Sequence, residues 1–186
     1  MKRKYDTYDF YFSFFNGKGT LTAIQTVGNP SYFSVYQLTD GSIVKVHLID
    51  TSGQEQYKAI NERYYKVADC CLLVYDVTNK TSFDECKDYY NKNLIEKCKK
   101  EVKVILLGNK TDLEDKRVIK SEEGAGFALE NDYIFMETSC LKNTNVANAF
   151  ETLIELTNIE AKKNNRENYM ALNGNRDKSH RKSCCS

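Results

Sequence analysis

Apolar positions recur along this chain at two spacings. In Val44–Ile49 (VKVHLI) they alternate with polar residues, the period of a half-buried strand. Tyr32–Leu38 lies upstream across Thr39-Asp40-Gly41-Ser42, and an Asp-Gly between two such runs predicts an antiparallel hairpin. Cys71–Tyr75 (CLLVY), Val102–Leu107 (VKVILL) and Tyr133–Met136 are short apolar runs of the kind that parallel strands covered on both faces require. Helical spacing falls between and after them. Thr81, with Asp84 three residues on, predicts an N-cap for a helix running to about Cys98. Ser121-Glu122-Glu123 opens a second, ending near Asn131. Asn145 starts a third, in which Val146, Phe150, Leu153, Ile154, Leu156 and Ile159 trace an apolar stripe. Strand and helix in alternation predict an α/β fold: a doubly wound, mostly parallel sheet with right-handed crossovers and one antiparallel hairpin.

Composition narrows the function classes. The 186 residues carry 27 Lys and Arg against 26 Asp and Glu, a net charge of +1 that argues against a general nucleic-acid binder. From Lys163 onward, however, six basic residues face two acidic ones among many asparagines and few apolar side chains. Such a segment buries too little surface to offset ordering entropy, so the reading divides the chain into a folded domain, 1–162, and a disordered basic tail, 163–186. No stretch approaches the roughly 20 apolar residues of a bilayer span. The N-terminal MKRKYDTYDFYFSFF lacks the small-residue cleavage site of a secretory signal. The 7 cysteines are odd in number and include no C-x-x-C, which points away from a disulfide framework or a zinc site and towards a reducing compartment. Cys70 and Cys71 open an apolar run and read as buried. Cys184 and Cys185 end the polar tail, where burial does not account for them.

Ligands of open α/β sheets bind outside the carboxyl ends of the strands, and two loops with chemistry fall there. Asp50-Thr51-Ser52-Gly53-Gln54 follows the strand ending at Ile49. An Asp at a strand end can hold Mg²⁺ through its water shell, Gly53 lets a backbone N–H approach a phosphate, and Gln54 can orient an attacking water. The same residues also fit an ordinary strand-to-helix loop. Asn109-Lys110-Thr111-Asp112 follows Gly108. Here a carboxylate can accept two N–H bonds from a guanine edge while the lysine stem packs on the base; alone, the segment also reads as a polar turn. Glu137-Thr138-Ser139-Cys140, after the next strand, can offer a backbone N–H to a base oxygen.

Together these segments resemble the Rab branch of the Ras-like small GTPases. DTSGQEQY is similar to that family's DTAGQERF, and YYKVADCCLLVYDVTNKTSF, VILLGNKTDL, ETSC and NTNVANAF follow its pattern from Asn16 to about Ile159. Asn16–Gly28 (NGKGTLTAIQTVG) is similar to the segment that enters switch I. The resemblance implies a Ras-like P-loop GTPase fold binding GTP or GDP with Mg²⁺. It implies Gln54 as the catalytic residue and Asp50, Gly53, Asn109, Lys110, Asp112, Ser139 and Cys140 as nucleotide contacts. Thr26 and Asp50 are the implied metal positions. Cys184-Cys185-Ser186 resembles the double-cysteine ends that receive geranylgeranyl groups, and it is not a C-a-a-X box. Two lipid chains, with Arg181 and Lys182 beside them, would hold the protein on the cytoplasmic face of cell or organelle membranes; the unmodified chain would be cytosolic. Implied partners are the escort protein and geranylgeranyl transferase, the GDP-dissociation inhibitor and effectors.

One departure weighs against full activity. The family's phosphate loop, G-x-x-x-x-G-K-S/T, does not occur in the 186 residues; Gly17-Lys18-Gly19-Thr20 has a residue too many between Lys and Thr. The N-terminal unit therefore reads as degenerate, with Tyr8–Phe15 standing in for the first strand and too few residues between Phe15 and Thr26 for the usual helix. Ser52 replaces the family's Ala, and Leu141 stands where it has Lys. The expected function is a Rab-like, membrane-anchored switch in vesicle traffic with impaired nucleotide binding and little or no hydrolysis. The alternatives are a nucleotide-independent pseudo-GTPase binding module, or a truncated gene product without function.

Overall fold

The hairpin forms where Asp-Gly predicts it. β2 (Ser31–Gln37) and β3 (Ile43–Thr51) pair antiparallel, with Gln37 opposite Ile43. Gly41 takes φ +83°, a backbone conformation that glycine adopts without a Cβ clash. The Asp40 carboxylate accepts from the Ser42 N–H at 2.8 Å and closes the turn. In the computed structural model, residues 7–16, 31–51, 65–98 and 101–180 are described. Thr26, Gly53, Gln54, Cys184, Cys185 and, of the segment expected to lack a helix, residues 17–25 lie outside them.

Four further strands complete one sheet: β1 (Thr7–Asn16), β4 (Cys70–Asp76), β5 (Lys103–Asn109) and β6 (Ile134–Glu137). Their order is β2-β3-β1-β4-β5-β6, and every pair except β2–β3 is parallel. β1 therefore occupies the centre, as expected of Tyr8–Phe15. Without it, β3 and β4 would each present an unpaired edge. Asn16, assigned by resemblance to the following loop, is instead the last strand residue and pairs with Val74.

β4 is buried along its whole length and divides its side chains between two cores. Cys71, Leu73 and Tyr75 pack with Phe83, Cys86, Leu94, Leu106 and Ala128 on one face. Cys70, Leu72 and Val74 pack with Val44, Val46, Ile105, Ala149, Leu153 and Ile154 on the other. This strict alternation is the period of a strand, and both cysteines are buried as expected.

The helices depart from the sequence reading in two places. The first begins earlier than Thr81: α1 spans Lys80–Glu85, and Asn79 is its cap, accepting from the Ser82 N–H at 3.2 Å. An Asn side chain three residues before a free N–H satisfies it as well as Thr would. Nor is this helix uniform. A π-helical segment, Cys86–Tyr90, separates α1 from α2 (Asn91–Lys97). The extra residue of that turn accompanies the inward placement of Asn91, which is buried and bonded to Asn131 and to the Tyr133 hydroxyl. α3 (Ser121–Glu130) matches its expected span.

The second departure is at the C-terminal end. α4 runs from Val146 to His180, past the boundary placed near Lys162. Composition argued that residues 163–180 bury little. Helix propagation, however, adds one hydrogen bond for each residue fixed once a packed helix has supplied the nucleus, and this stretch contains no proline. Where it passes the hairpin, α4 makes a polar clasp. Lys162 pairs with Asp40 and donates to Ser42 Oγ at 2.7 Å, and Asn158 Nδ2 donates to Asp40 at 3.3 Å. The lysine, then Ser42, hold the Asp40 carboxyl far below the usual carboxylate range.

Tyr75 supplies a test of the packing. Its buried hydroxyl has no hydrogen-bond partner among the described residues. A Cβ on Gly108 would lie 2.8 Å from that oxygen, and one on Gly124 would overlap it. Gly108→Ala is expected to destabilise by about 1–3 kcal/mol through overpacking. Tyr75→Phe alone is expected to be neutral or stabilising, because it removes an orphaned polar group. The double variant should lose less than the sum of the two, a coupling readable from urea melts of the four proteins.

Candidate functional site

Parallel pairing brings the carboxyl ends of five strands to one edge of the sheet. Asp50 stands opposite Phe14, Asp76 opposite Asn109, and Gly108 opposite Glu137. The loops after β5 and β6 meet there. Asn109 is buried, and its Oδ1 accepts from Thr138 Oγ1 at 3.1 Å and from the Cys140 thiol at 3.6 Å. The Thr138 N–H donates to Gly108 O at 2.8 Å, and the Thr111 N–H and hydroxyl both donate to Thr138 O. The two loops are thus one hydrogen-bonded unit.

Asp112 sits in a 3₁₀ turn, Thr111–Lys116, and one of its oxygens accepts from Ser139 Oγ at 2.5 Å. Ser139 Oγ in turn accepts from the Lys142 N–H at 3.1 Å. The second Asp112 oxygen makes no hydrogen bond to any described residue. The Ser139 N–H is committed to Thr144 O at 3.1 Å, whereas neither the Cys140 nor the Leu141 N–H donates to a backbone carbonyl of the described residues. A carboxylate oxygen accepts from the N–H donors of a planar amide edge, and a backbone N–H donates to its carbonyl. Cys140 is exposed; partial burial raises its thiol pKa, and the Asp112 charge adds to the rise. It is not an activated nucleophile. Leu141 is 83% exposed.

Lys110 adopts φ +69°, a left-handed conformation unusual for a residue with a side chain. Its ammonium reaches back to Asp76 Oδ2 at 2.7 Å. The other Asp76 oxygen accepts from the Thr78 N–H at 2.8 Å and the Thr78 hydroxyl at 2.7 Å. Burial alone would raise the Asp76 pKa, but Lys110 and the two Thr78 donors outweigh it and hold the carboxyl below its ordinary value. Arg117 braces the same corner, bonding Glu114 at 2.9 Å, Glu137 at 2.7 Å and Ile119 O at 3.1 Å. Sequence reasoning missed both Asp76 and Arg117. The only signal for Asp76 was a carboxylate ending an otherwise apolar run, VYD.

Of the residues singled out from the sequence, Asn109, Lys110, Asp112, Ser139 and Cys140 are brought together. Asp50 is placed at the same edge, at the end of β3. Among the described residues no group of His, Cys, Asp and Glu side chains is arranged to hold a metal ion. Residues 9–159 match the family model described as the Ras family. The chain belongs to the Ras family. Relatives include Ras-related protein Rab-8A of Bos taurus, 41% identical over 132 residues, covering 71% of this chain and 63% of the relative. Rab-8B of Pongo abelii is 38% identical over 145 residues, covering 77% and 69%, and Ras-related protein RGP1 of Oryza sativa subsp. japonica is 41% identical over 133 residues, covering 67% and 55%. This Ras-family chain, of the Rab-like kind, thus spans 63% of the length of the Rab-8A relatives it matches.

The Asp76–Lys110 pair predicts how this corner responds to acid. The folded-state pKa of Asp76 lies below its unfolded value, so its contribution to stability is present above the ordinary carboxylate range, about 4, and is lost as pH falls through the folded pKa. Thermal melts should show wild type losing more stability between neutral and acid pH than Asp76→Asn, whose amide does not titrate. Parallel pH profiles would contradict this.

Proposed function

We propose that this Ras-family chain is a Rab-like guanine-nucleotide-binding protein of vesicle traffic, with the base-recognition half of its site built and the phosphate half weakened. The observation that carries the reading is the Ser139–Asp112 hydrogen bond joining the two base loops. It fixes one carboxylate oxygen and leaves the other available beside the Cys140 N–H. Guanine presents two N–H donors beside a carbonyl acceptor, which this arrangement complements. Adenine presents the reverse pattern and leaves both protein groups unpaired.

The phosphate half rests on the stretch between β1 and β2, residues 17–30, where the G-x-x-x-x-G-K-S/T pattern is missing. Three or four charge-assisted hydrogen bonds, at about 1.5–3 kcal/mol each, are lost with it, so affinity falls by several orders of magnitude relative to a complete site. Mg²⁺ would rely on Thr26 and Asp50, and hydrolysis of GTP through Gln54 would be slow. Geranylgeranylation of Cys184 and Cys185 would place the protein on the cytoplasmic face of membranes, served by an escort protein, a transferase, a GDP-dissociation inhibitor and effectors. The missing pattern also favours a second reading, in which the switch and hairpin surfaces bind partners without nucleotide.

Titration of the 186-residue chain with a fluorescent guanine nucleotide separates the two readings. Weak, saturable binding, with a Kd above about 1 μM, is expected. Submicromolar affinity would overturn the weakened phosphate half, and no binding at all would favour the second reading. Asp112→Asn should lower guanine affinity by about a hundredfold or more while admitting xanthine, whose second carbonyl accepts from the new amide.

Membrane attachment is tested separately, by intact mass and fractionation. Wild type from a eukaryotic host should carry two isoprenoid masses and sediment with membranes, whereas the Cys184→Ser, Cys185→Ser variant should stay soluble. Identical soluble distributions would remove the anchoring claim.

A further inference from the structure

We propose that Arg117 is a positioning residue of the base site: its guanidinium ties the turn that carries Asp112 to the end of β6, and so sets how squarely that carboxylate meets the guanine edge. The inference rests on the base-recognition reading above and goes beyond it, to a residue that belongs to neither base loop.

Three observations carry it. The first is how little else holds the turn. Thr111–Lys116 is a 3₁₀ turn with no buried residue, kinked at Leu113 (φ −96°, ψ 44°), directly after Asp112. Without apolar packing its placement rests on hydrogen bonds, and a segment held in that way opens more readily than a packed helix. At its start these are the Thr111 bonds to Thr138 O and the bond from Ser139 Oγ to Asp112. At its other end the turn is closed by the Arg117 N–H, which donates to Glu114 O at 3.1 Å. Anchoring the Arg117 side chain therefore anchors the turn.

The second observation is the fork. Nη1 donates to Glu137 Oε1 at 2.7 Å and to Ile119 O at 3.1 Å, and Nη2 donates to Glu137 Oε2 at 3.3 Å. Nε donates to both Glu114 oxygens at 2.9 Å. A planar guanidinium paired in this way fixes direction as well as distance, which a lysine ammonium does not. The third is where the fork ends. Glu137 is the last residue of β6 and immediately precedes Thr138, Ser139 and Cys140. The Arg117 side chain is 15% exposed and that of Glu137 25%, whereas that of Glu114 is 68% exposed. An exposed pair is worth little, so the arm to Glu137 carries the tie. Ser139 joins the two segments at Asp112, and Arg117 joins them at the far end of the turn. With both in place the turn does not pivot about the Ser139 bond.

The test is calorimetry on the full chain with GDP and inosine diphosphate, IDP, each with Mg²⁺. Hypoxanthine, the base of IDP, lacks the exocyclic amino group and offers Asp112 a single N–H where guanine offers a pair. Sugar and phosphate contacts are common to both ligands and cancel in the ratio of their Kd values. Wild type should prefer GDP by about tenfold or more, the worth of one hydrogen bond to a charged group. Arg117→Ala should bring that ratio close to parity, with GDP weakened far more than IDP. Glu137→Gln weakens the same tie, so it should lower the ratio too, and the double variant should lower it no further than Arg117→Ala. A merely structural arginine would weaken both ligands by one factor; a ratio that changes by less than about threefold in Arg117→Ala therefore overturns the proposal. If that variant does not fold, Glu137→Gln decides by the same bound. A Glu137→Gln ratio equal to that of wild type, with the Arg117→Ala ratio reduced, places the tie elsewhere and also overturns it. Binding that depends on Asp112 but not on Arg117 defeats this inference alone. Absence of binding by either nucleotide, or a wild-type ratio below about threefold, defeats it together with the reading beneath it.

Discussion

Everything at the functional edge depends on β4 being buried from both sides and ending in a charge. Seven consecutive residues, Cys70–Asp76, are buried, and six of them are apolar or aromatic. The seventh is a carboxylate. Its charge is compatible with that position only because the chain turns back twice to meet it, locally through Thr78 and from the loop after the neighbouring strand through Lys110. The core and the site are therefore one problem in electrostatics: the strand that organises the apolar layers also dictates where the lysine of the base loop must lie.

The fold was legible wherever one interaction dominated. Alternation in Val44–Ile49, continuous runs in β4 and β5 and the Asp-Gly turn each specify an element by burial or backbone geometry alone. Tyr8–Phe15 was legible as a central strand for a negative reason, since two strands would otherwise be left with open edges. The π-helical turn was not legible, because it depends on the distant partners Asn131 and Tyr133, which pull Asn91 inward. The length of α4 was not legible, because composition measures what a segment buries and not the helix already nucleated before it.

The base site divides the same way. Asn109, Lys110, Asp112, Ser139 and Cys140 were visible as two short polar segments after apolar runs, a pattern whose spacing carries chemical meaning. Asp76 and Arg117 were not, since each acts on another residue's geometry and neither lies in those segments. A carboxylate at a strand end has many possible uses, and only the 2.7 Å approach of Lys110 selects one. Residues that touch a ligand leave a local signature in sequence, whereas residues that brace them leave one only in three dimensions.

The clasp between α4 and the hairpin has a mechanical consequence. Along α4 the attachments fall in a fixed order: Ala149, Leu153 and Ile154 in the apolar layer, then Asn158, Glu160 on Lys103 at 2.9 Å, and Lys162 on Asp40. A load applied at the far end of the helix meets the Lys162 contact before it reaches Leu153 and Ile154 in the apolar layer. The ionic contacts lie at the surface, are weakened by salt and re-form without cost to the core. The outermost polar contact of α4 is therefore the one that can open while the layer around Leu153 and Ile154 stays closed.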